Sequence, residues 1–382
     1  LCYINRGDRT FEESAASLGI NDPGNTIFAG FFDGDQDGDL DLMVINHNNI
    51  SKEHGKADNV ERQINQNTFY LNDTETFTDA TEKYGLTESS LTFSLSLIVS
   101  DLDLDGKVDL MVGNDFADRD NLYFNNGNGF TERLKARFGR LTMNTMGSAC
   151  MDFNNDLFPD IFTVDMTAEH NYKNKTTMAS MNPKRFYNMV NSGNHYQYMY
   201  NMLQLNLGGG HFRDVGLFCG VDRSDWSWAP LAADYNQNGW ADIYITNGVI
   251  TNNHKDLKMT HYYKDGGSIE EMYMAFYKEN PSDYAVNYIY SNQGWLNFKD
   301  VSDEWVDTVS SISHGAAWGD LDNDGDLDVV VNNTNAPAFL LENLTNSDVN
   351  RYLKIRFEGN KGNLNGIGAK VIIYTNQGNQ MR

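Results

Sequence analysis

Short apolar runs rich in β-branched and aromatic side chains recur along the 382-residue chain, each bounded by Asp, Asn or Gly. Five of them read DLMVIN (41–46), DLMVGN (109–114), DIFTVD (160–165), DIYITN (242–247) and DVVVNN (328–333). They are too short for helices and predict buried strands. A second signal is a strand that ends in Asn, turns through Gly-rich or polar residues and restarts at an aromatic: CYINRGDRTFEE, FYLNDTETFTD, LYFNNGNGFTE, LQLNLGGGHFRD and IYSNQGWLNFKD. Such Asn/Gly turns are what tight hairpins require. Together the signals give four strands per unit: the Phe-led strand, a strand entering the loop that precedes each Asp-led run, the run itself, and the strand ending in Asn. Counted in that way the whole units are 11–72, 77–125, 130–206, 212–292 and 298–343, with residues 1–5 left from an earlier one. Repeated four-stranded antiparallel units predict an all-β fold, a β-propeller with short helical insertions. Ser96, Gly147, Ala229 and Gly315 each stand five positions before the first Asp of a loop, and such small side chains suit an innermost strand crowded around a propeller axis.

The loops ahead of the five runs share one acidic design: DGDQDGDLD (33–41), DLDLDGKVD (101–109), DFNNDLFPD (152–160), DYNQNGWAD (234–242) and DLDNDGDLD (320–328). Oxygen side chains at loop positions 1, 3, 5 and 9 with glycine at 6 are what a hard divalent cation needs from one short segment, and calcium is the natural candidate. The side-chain ligands are Asp33, Asp35, Asp37 and Asp41; Asp101, Asp103, Asp105 and Asp109; Asp152, Asn154, Asp156 and Asp160; Asp234, Asn236, Asn238 and Asp242; Asp320, Asp322, Asp324 and Asp328. At position 7, Asp39, Lys107, Phe158, Trp240 and Asp326 would each offer a backbone carbonyl. An EF-hand would need a glutamate at position 12 and flanking helices; position 12 of the first loop is Val44, and the flanks read as strands. Up to five calcium ions are expected. Binding should be weaker at Asp152–Asp160, where Leu157 replaces the glycine, and at Asp234–Asp242, which has only two full charges.

The formal charge of −24 argues against nucleic acid and anionic membranes as partners. Five divalent cations, ten positive charges, would bring it to about −14 and relieve self-repulsion. No apolar run is long enough to span a membrane. No leader is visible, and the chain opens inside what reads as a strand, as a trimmed mature fragment would. Cys2, Cys150 and Cys219 cannot make a disulfide framework and read as buried thiols. Weak calcium sites need millimolar calcium, which points outside the cytosol.

Three segments break the spacing, at roughly 46–67, 165–201 and 249–287, all after the strand that leaves an acidic loop. In an antiparallel meander that slot opens on the face opposite the loops. The second insertion predicts a short helix from about Pro183 to Val190, ending before Gly193. The third predicts another in SIEEMYMAFYKENP, with Ser268 and Glu271 as a capping box and Pro281 as the stop.

These loops resemble FG-GAP/VCBS repeat propellers, and the DxDxDGxxD stretches alone are similar to integrin α-subunit calcium loops. NDFADRDNLYFNNG (114–127), HYQYMYNMLQLN (195–206) and DWSWAPLAADYNQNGWADIYITNG (225–248) resemble the cartilage-acidic-protein-like family, especially large surface proteins of Bacteroidetes. RYLKIRFEGNKGNLNGIGAKVIIY (351–374) resembles the start of an ASPIC/UnbV segment, with Gly366-Ile367-Gly368-Ala369 at its core. The resemblance implies a propeller over 1–345 of about seven blades in the full family, followed by a truncated ASPIC/UnbV segment over 346–382. It further implies calcium in the blade loops, export to the surface, outer membrane or periplasm of a Gram-negative bacterium or to the medium, and often an upstream lipid anchor.

Two functions are open at this stage. One is a non-catalytic, calcium-stabilised scaffold that recognises a glycan or protein with the insertion-bearing face. The other is a lyase-like polysaccharide-degrading enzyme, which needs a base and a positive charge converging in a cleft. For that role the insertions supply His170, Lys173, His195, Tyr198 and Tyr200, then His254, Lys258 and His261, at no spacing that marks any of them as catalytic. Arg6-Gly7-Asp8 occupies a hairpin-turn slot and reads as a turn, and Asn72, Asn332 and Asn343 are glycosylation acceptors only in a host that uses them.

Overall fold

The structure, a computed structural model, describes residues 1–48, 66–73, 76–87, 93–115, 119–177, 183–250, 271, 282–306, 309–345, 352–359, 362–375 and 378–381. It opens on a hairpin of β1 (Tyr3–Asn5) and β2 (Phe11–Glu13). Five antiparallel sheets follow as blades. Blade 1 is β3 (Thr26–Phe32), β4 (Asp41–Asn46), β5 (Thr68–Asp73) and β6 (Thr76–Asp79). Blade 2 is β7 (Ser94–Ser100), β8 (Asp109–Asn114), β9 (Asn121–Asn125) and β10 (Phe130–Glu132). A short strand, β11 (Leu141–Thr142), leads into blade 3, whose first strands are β12 (Gly147–Met151) and β13 (Asp160–Val164). Its insertion contributes β14 (Gln197–Tyr198), parallel to β11, before β15 (Met202–Asn206) and β16 (Phe212–Asp214) complete the sheet. Blade 4 is β17 (Ser227–Ala233), β18 (Asp242–Asn247), β19 (Tyr288–Asn292) and β20 (Phe298–Asp300). Blade 5 shows three strands among the described residues, β21 (Ser313–Gly319), β22 (Asp328–Asn333) and β23 (Phe339–Leu341). A C-terminal hairpin pairs β24 (Ile372–Thr375) with β25 (Gly378–Met381).

The all-β, five-bladed propeller arrangement is the expected one, but the repeat unit is out of phase with the sheet by one strand. The Phe-led strand does not open a blade. It pairs with the preceding Asn-ended strand, as β6 does with β5 and β16 with β15, and so forms the outer edge of the earlier blade. The tight Asn/Gly turn between the two strands already marks them as a hairpin; counting each unit from its aromatic cuts that hairpin in two. The acid that follows the aromatic explains the rest of the motif: Glu13, Asp79, Glu132, Asp214 and Asp300 each accept the amide two residues on, turning the chain into the linker to the next blade.

The innermost strands lie side by side in the order β3, β7, β12, β17, β21. Small residues allow this: a Cβ on Gly147 would come within 2.0 Å of the Trp228 carbonyl oxygen on the neighbouring inner strand. The core is a series of layers between blades, Phe32, Phe69 and Phe130 between the first two, for instance, and Phe153, Phe162 and Ile243 between the third and fourth. All three cysteines are free thiols; Cys219 is buried, and Cys2 and Cys150 are partly so. Arg6-Gly7-Asp8 is the β1–β2 turn, with Gly7 left-handed and Asp8 accepting the Thr10 amide.

On the face opposite the acidic loops, the residue just before or at the start of the third strand ties each blade to the next. Asn67, Asn201 and Asn287 accept a backbone amide from the end of the second strand through Oδ1 and donate through Nδ2 to Ser94, Ser224 and Ser313 of the following blade. In blade 2 the same place is held by Asp120, which accepts from the Asn114 amide and the Thr145 hydroxyl, both at 2.9 Å. Burial pushes its carboxyl up to about 7. The folded state thus keeps a proton that the unfolded chain has lost between about pH 4 and 7, so this group costs stability progressively as pH rises through that window. Asp120→Asn, which restores the solution used in the other blades, should therefore stabilise by roughly 2 kcal/mol at pH 8 and by little at pH 4, read from denaturant midpoints at the two pH values. An equal gain at both would refute the titration.

Candidate functional site

The five acidic loops share one backbone. Position 4 is left-handed in each, at Gln36, Leu104, Asn155, Gln237 and Asn323, and so is position 6, at Gly38, Gly106, Leu157, Gly239 and Gly325. Leu157 has φ 72° where the others use glycine, a conformation that costs a side chain about 1 kcal/mol. Side-chain oxygens at positions 3 and 5 accept the amides two residues on, as Asp103 does from Asp105 and Asp105 from Lys107, which curls the loop with its oxygens inward.

The cation test separates the loops. In Asp33, Asp101 and Asp320 at position 1, and in Asp326 at position 7, Oδ1 is buried and accepts no hydrogen bond among the described residues. A buried carboxylate oxygen without a donor is costly unless a cation faces it. The same three loops gather carboxylates with oxygens within 4.8 Å of one another: Asp33, Asp35 and Asp37; Asp101, Asp103 and Asp109; Asp320, Asp322 and Asp324. In the third and fourth loops both oxygens of the first Asp are taken by backbone amides, Asp156 and Leu157 on Asp152, Asn238 and Gly239 on Asp234. These clusters could bind a metal ion, and the donor set, all oxygen and mostly anionic, fits a hard divalent cation.

Position 9 has a second task. Asp41, Asp109, Asp160, Asp242 and Asp328 each accept the position 2 amide on one oxygen and, on the other, the amide of the Asn that ends the third strand, at 2.7–3.1 Å. Each oxygen keeps a second lone pair. Burial pushes Asp41, Asp109 and Asp242 up to about 7 despite those amides, with neighbouring carboxylates adding to the rise; a bound cation would reverse that balance.

In the sequence this Asn carries only a turn signal. Through Nδ2, Asn125, Asn206, Asn292 and Asn343 donate to the position 2 carbonyl of the preceding blade's loop, Gly34, Leu102, Phe153 and Tyr235, at 2.8–2.9 Å. Position 4 reaches the other way: Gln36, Asn155 and Gln237 donate to the position 6 carbonyl of the following loop. The loops therefore form a hydrogen-bonded chain around one face. The C-terminal segment lies on the same face, with Lys354 and Lys370 paired at 3.1 Å to Asp320 and Asp101.

The insertions leave from the far ends of β4, β13 and β18, so they open on the other face, as expected. A helix at Pro183–Asn191 matches the expected one; of the helix expected in the third insertion only Glu271 is described, and it is helical, while His254, Lys258 and His261 lie outside the described residues. The second insertion carries a run of rings: Phe186 stands 5.3, 6.3 and 5.2 Å from Tyr187, Tyr196 and Tyr198, and Tyr198 is 6.0 Å from Tyr200. Tyr187 and Tyr196 are 62% and 48% exposed. Of the candidate residues, His195, Lys173 and Tyr200 are held in other contacts. His195 donates from Nε2 to the Phe138 carbonyl (2.7 Å), and Lys173 is held by Asp225 (2.6 Å) and Asp283 (3.3 Å). Tyr200 donates to Asp214, which also pairs with Arg140 at 2.9 Å, and His170 is exposed.

No described helix is long and apolar enough to cross a membrane. Among curated proteins none matches this sequence. Among solved structures, the chain is similar at 14% identity and TM-score 0.39 to an Agrocybe aegerita lectin solved for its recognition of non-reducing terminal N-acetylglucosamine, over 90% of this chain and 74% of that one. It is similar at 11% identity and TM-score 0.30 to an exotype rhamnogalacturonan lyase, over 84% of this chain and 57% of that one. Residues 101–163 and 269–331 match the family described as FG-GAP-like repeat. The chain thus carries FG-GAP-like repeats in a five-bladed propeller arrangement.

Proposed function

We propose that this protein is a non-catalytic, calcium-stabilised binding scaffold, exported to a cell surface or the medium, which recognises a glycan or a protein through its insertion-bearing face. The residues that would hold calcium are those at positions 1, 3, 5, 7 and 9 of the acidic loops, with the first, second and fifth loops the strongest. Bound calcium supplies positive charge that cross-links carboxylates; it is structural, since coordination by about six to eight oxygens leaves little room for a reacting group. The ASPIC/UnbV assignment of 346–382 belongs to the same reading.

The observation that carries recognition is the aromatic run from Tyr187 through Phe186 to Tyr196, Tyr198 and Tyr200. Tyrosines offer a flat apolar face and a polar edge with few rotatable bonds, which suits both sugar rings and protein surfaces. The engagement of His195 and Lys173 in structural contacts supports binding over catalysis.

A glycan array and a pull-down with the intact protein should find a ligand that is retained unchanged. The double variant Tyr187→Ala/Tyr196→Ala should weaken it at least tenfold with an unaltered melting temperature, because both side chains are exposed. Release of unsaturated oligosaccharides from a polysaccharide would overturn the reading in favour of a lyase.

A further inference from the structure

Between blades 4 and 5 lies a cavity of about 380 Å³ walled by Tyr235, Tyr244, Ile289, Trp305, Val329 and Leu341. The hydroxyl of Tyr235 is buried there without a hydrogen-bond partner among the described residues, and the residue is only 6% exposed. The other blade junctions show what belongs in such a place. Between blades 2 and 3, Phe212 at the head of the fourth strand fills the slot over Leu102 and stacks on Phe138 at 4.7 Å. Between blades 3 and 4, Phe298 meets Phe153 at 6.2 Å, and between blades 1 and 2, Phe130 meets Phe32 and Phe69 at 6.4 and 6.0 Å.

Tyr235 is the counterpart of Leu102 and Phe153, each at position 2 of its loop, and Val306, which also lines the cavity beside Trp305, corresponds in place to Phe138. Among the described residues, blade 5 has no fourth strand and no aromatic in this place. Among the described residues no strand pairs with the outer edge of β23, where Leu340 is 67% exposed. Where the chain resumes at Tyr352, its ring lies against Gly325 of the acidic loop and not over the cavity.

We propose that this cavity is an acceptor slot for an aromatic side chain on an extended peptide of a partner protein, which adds to the edge of β23 as the fourth strand of blade 5. Main-chain hydrogen bonds to β23 would supply the pairing and the ring would supply the specificity, the mode of strand addition. Tyr235 gives this slot a polar contact that Leu102 and Phe153 cannot offer, so a ring with a hydrogen-bonding edge is also accommodated.

The test uses the whole protein and a synthetic peptide copying residues 206–216, which carries Phe212 and no tryptophan. Saturable binding is expected, with a change in tryptophan emission from Trp305 and new hydrogen-exchange protection at Phe339–Leu341. The same peptide with alanine in place of phenylalanine should bind at least tenfold more weakly. Val329→Phe, which fills the slot, should abolish binding without lowering the melting temperature. Equal binding of the two peptides, or no saturable binding at millimolar peptide to the folded protein, would overturn the proposal. So would protection of Phe339–Leu341 before peptide is added, since the chain would then close its own slot.

Discussion

Adding EGTA to the calcium-loaded protein should lower its melting temperature by about 8 °C. A site held at tenfold excess over its dissociation constant stabilises the folded state by about 1.4 kcal/mol. The first, second and fifth loops, where Asp33, Asp101 and Asp320 each bury an oxygen with no donor among the described residues, should together contribute about 4 kcal/mol, at roughly 2 °C per kcal/mol for a long chain. The loops differ in a way that sharpens the test. Asp101→Asn and Asp320→Asn should each remove about a third of the chelator response, because each takes a charge from a cluster whose oxygens lie within 4.8 Å. Asp234→Asn should change it little, because both oxygens of Asp234 already accept amides. Calorimetry with and without EGTA reads all of this. A melting temperature indifferent to chelator would exclude calcium as the element that holds these loops.

Much of this architecture is legible in the sequence because each copy repeats the same local chemistry. Asp at fixed spacing with Gly38, Gly106, Gly239 or Gly325 marks a loop that must turn through left-handed backbone, and the apolar run behind it can only be a strand. The face of the insertions follows from antiparallel alternation alone. What stays hidden depends on partners distant in the chain. Asn206 reads as a turn residue, because its decisive partner, the carbonyl of Leu102, is 104 residues earlier and leaves no trace in any local period. The hairpin turn before Phe212 marks the strand it pairs with, whereas the packing of its ring into the layer against blade 2 leaves no local signal. Asp120 could have been found by aligning the units, since it stands where Asn67, Asn201 and Asn287 stand. The rings of the second insertion were visible as composition, whereas their convergence on Phe186 depends on the pairing of β14 with β11.

The asparagine stitch should prove the costliest single contact to remove. Asn206 is fully buried; it donates to Leu102 and Pro159 and accepts the Gly208 amide through Oδ1. Asn206→Ala leaves two buried carbonyls and the partly buried Gly208 amide without this partner and uncouples blade 3 from blade 2. At about 1–3 kcal/mol for each unsatisfied group, partly relieved by water, the expected loss is about 4 kcal/mol. The chain contains its own control. Asn72, on the third strand of blade 1, has the Leu40 carbonyl as its side chain's hydrogen-bond acceptor, and Asn72→Ala should cost only about 1 kcal/mol. Denaturant unfolding of the two variants in saturating calcium measures the difference directly. If they are equally destabilised, the bond from Asn206 to Leu102 contributes nothing beyond the turn, and the blades are joined by apolar packing alone. A loss confined to Asn206→Ala would instead place the junction in the hydrogen-bonded chain of loops. Calcium would then stiffen the carbonyls that receive the stitch, so chelation of the wild type and Asn206→Ala should be less than additive.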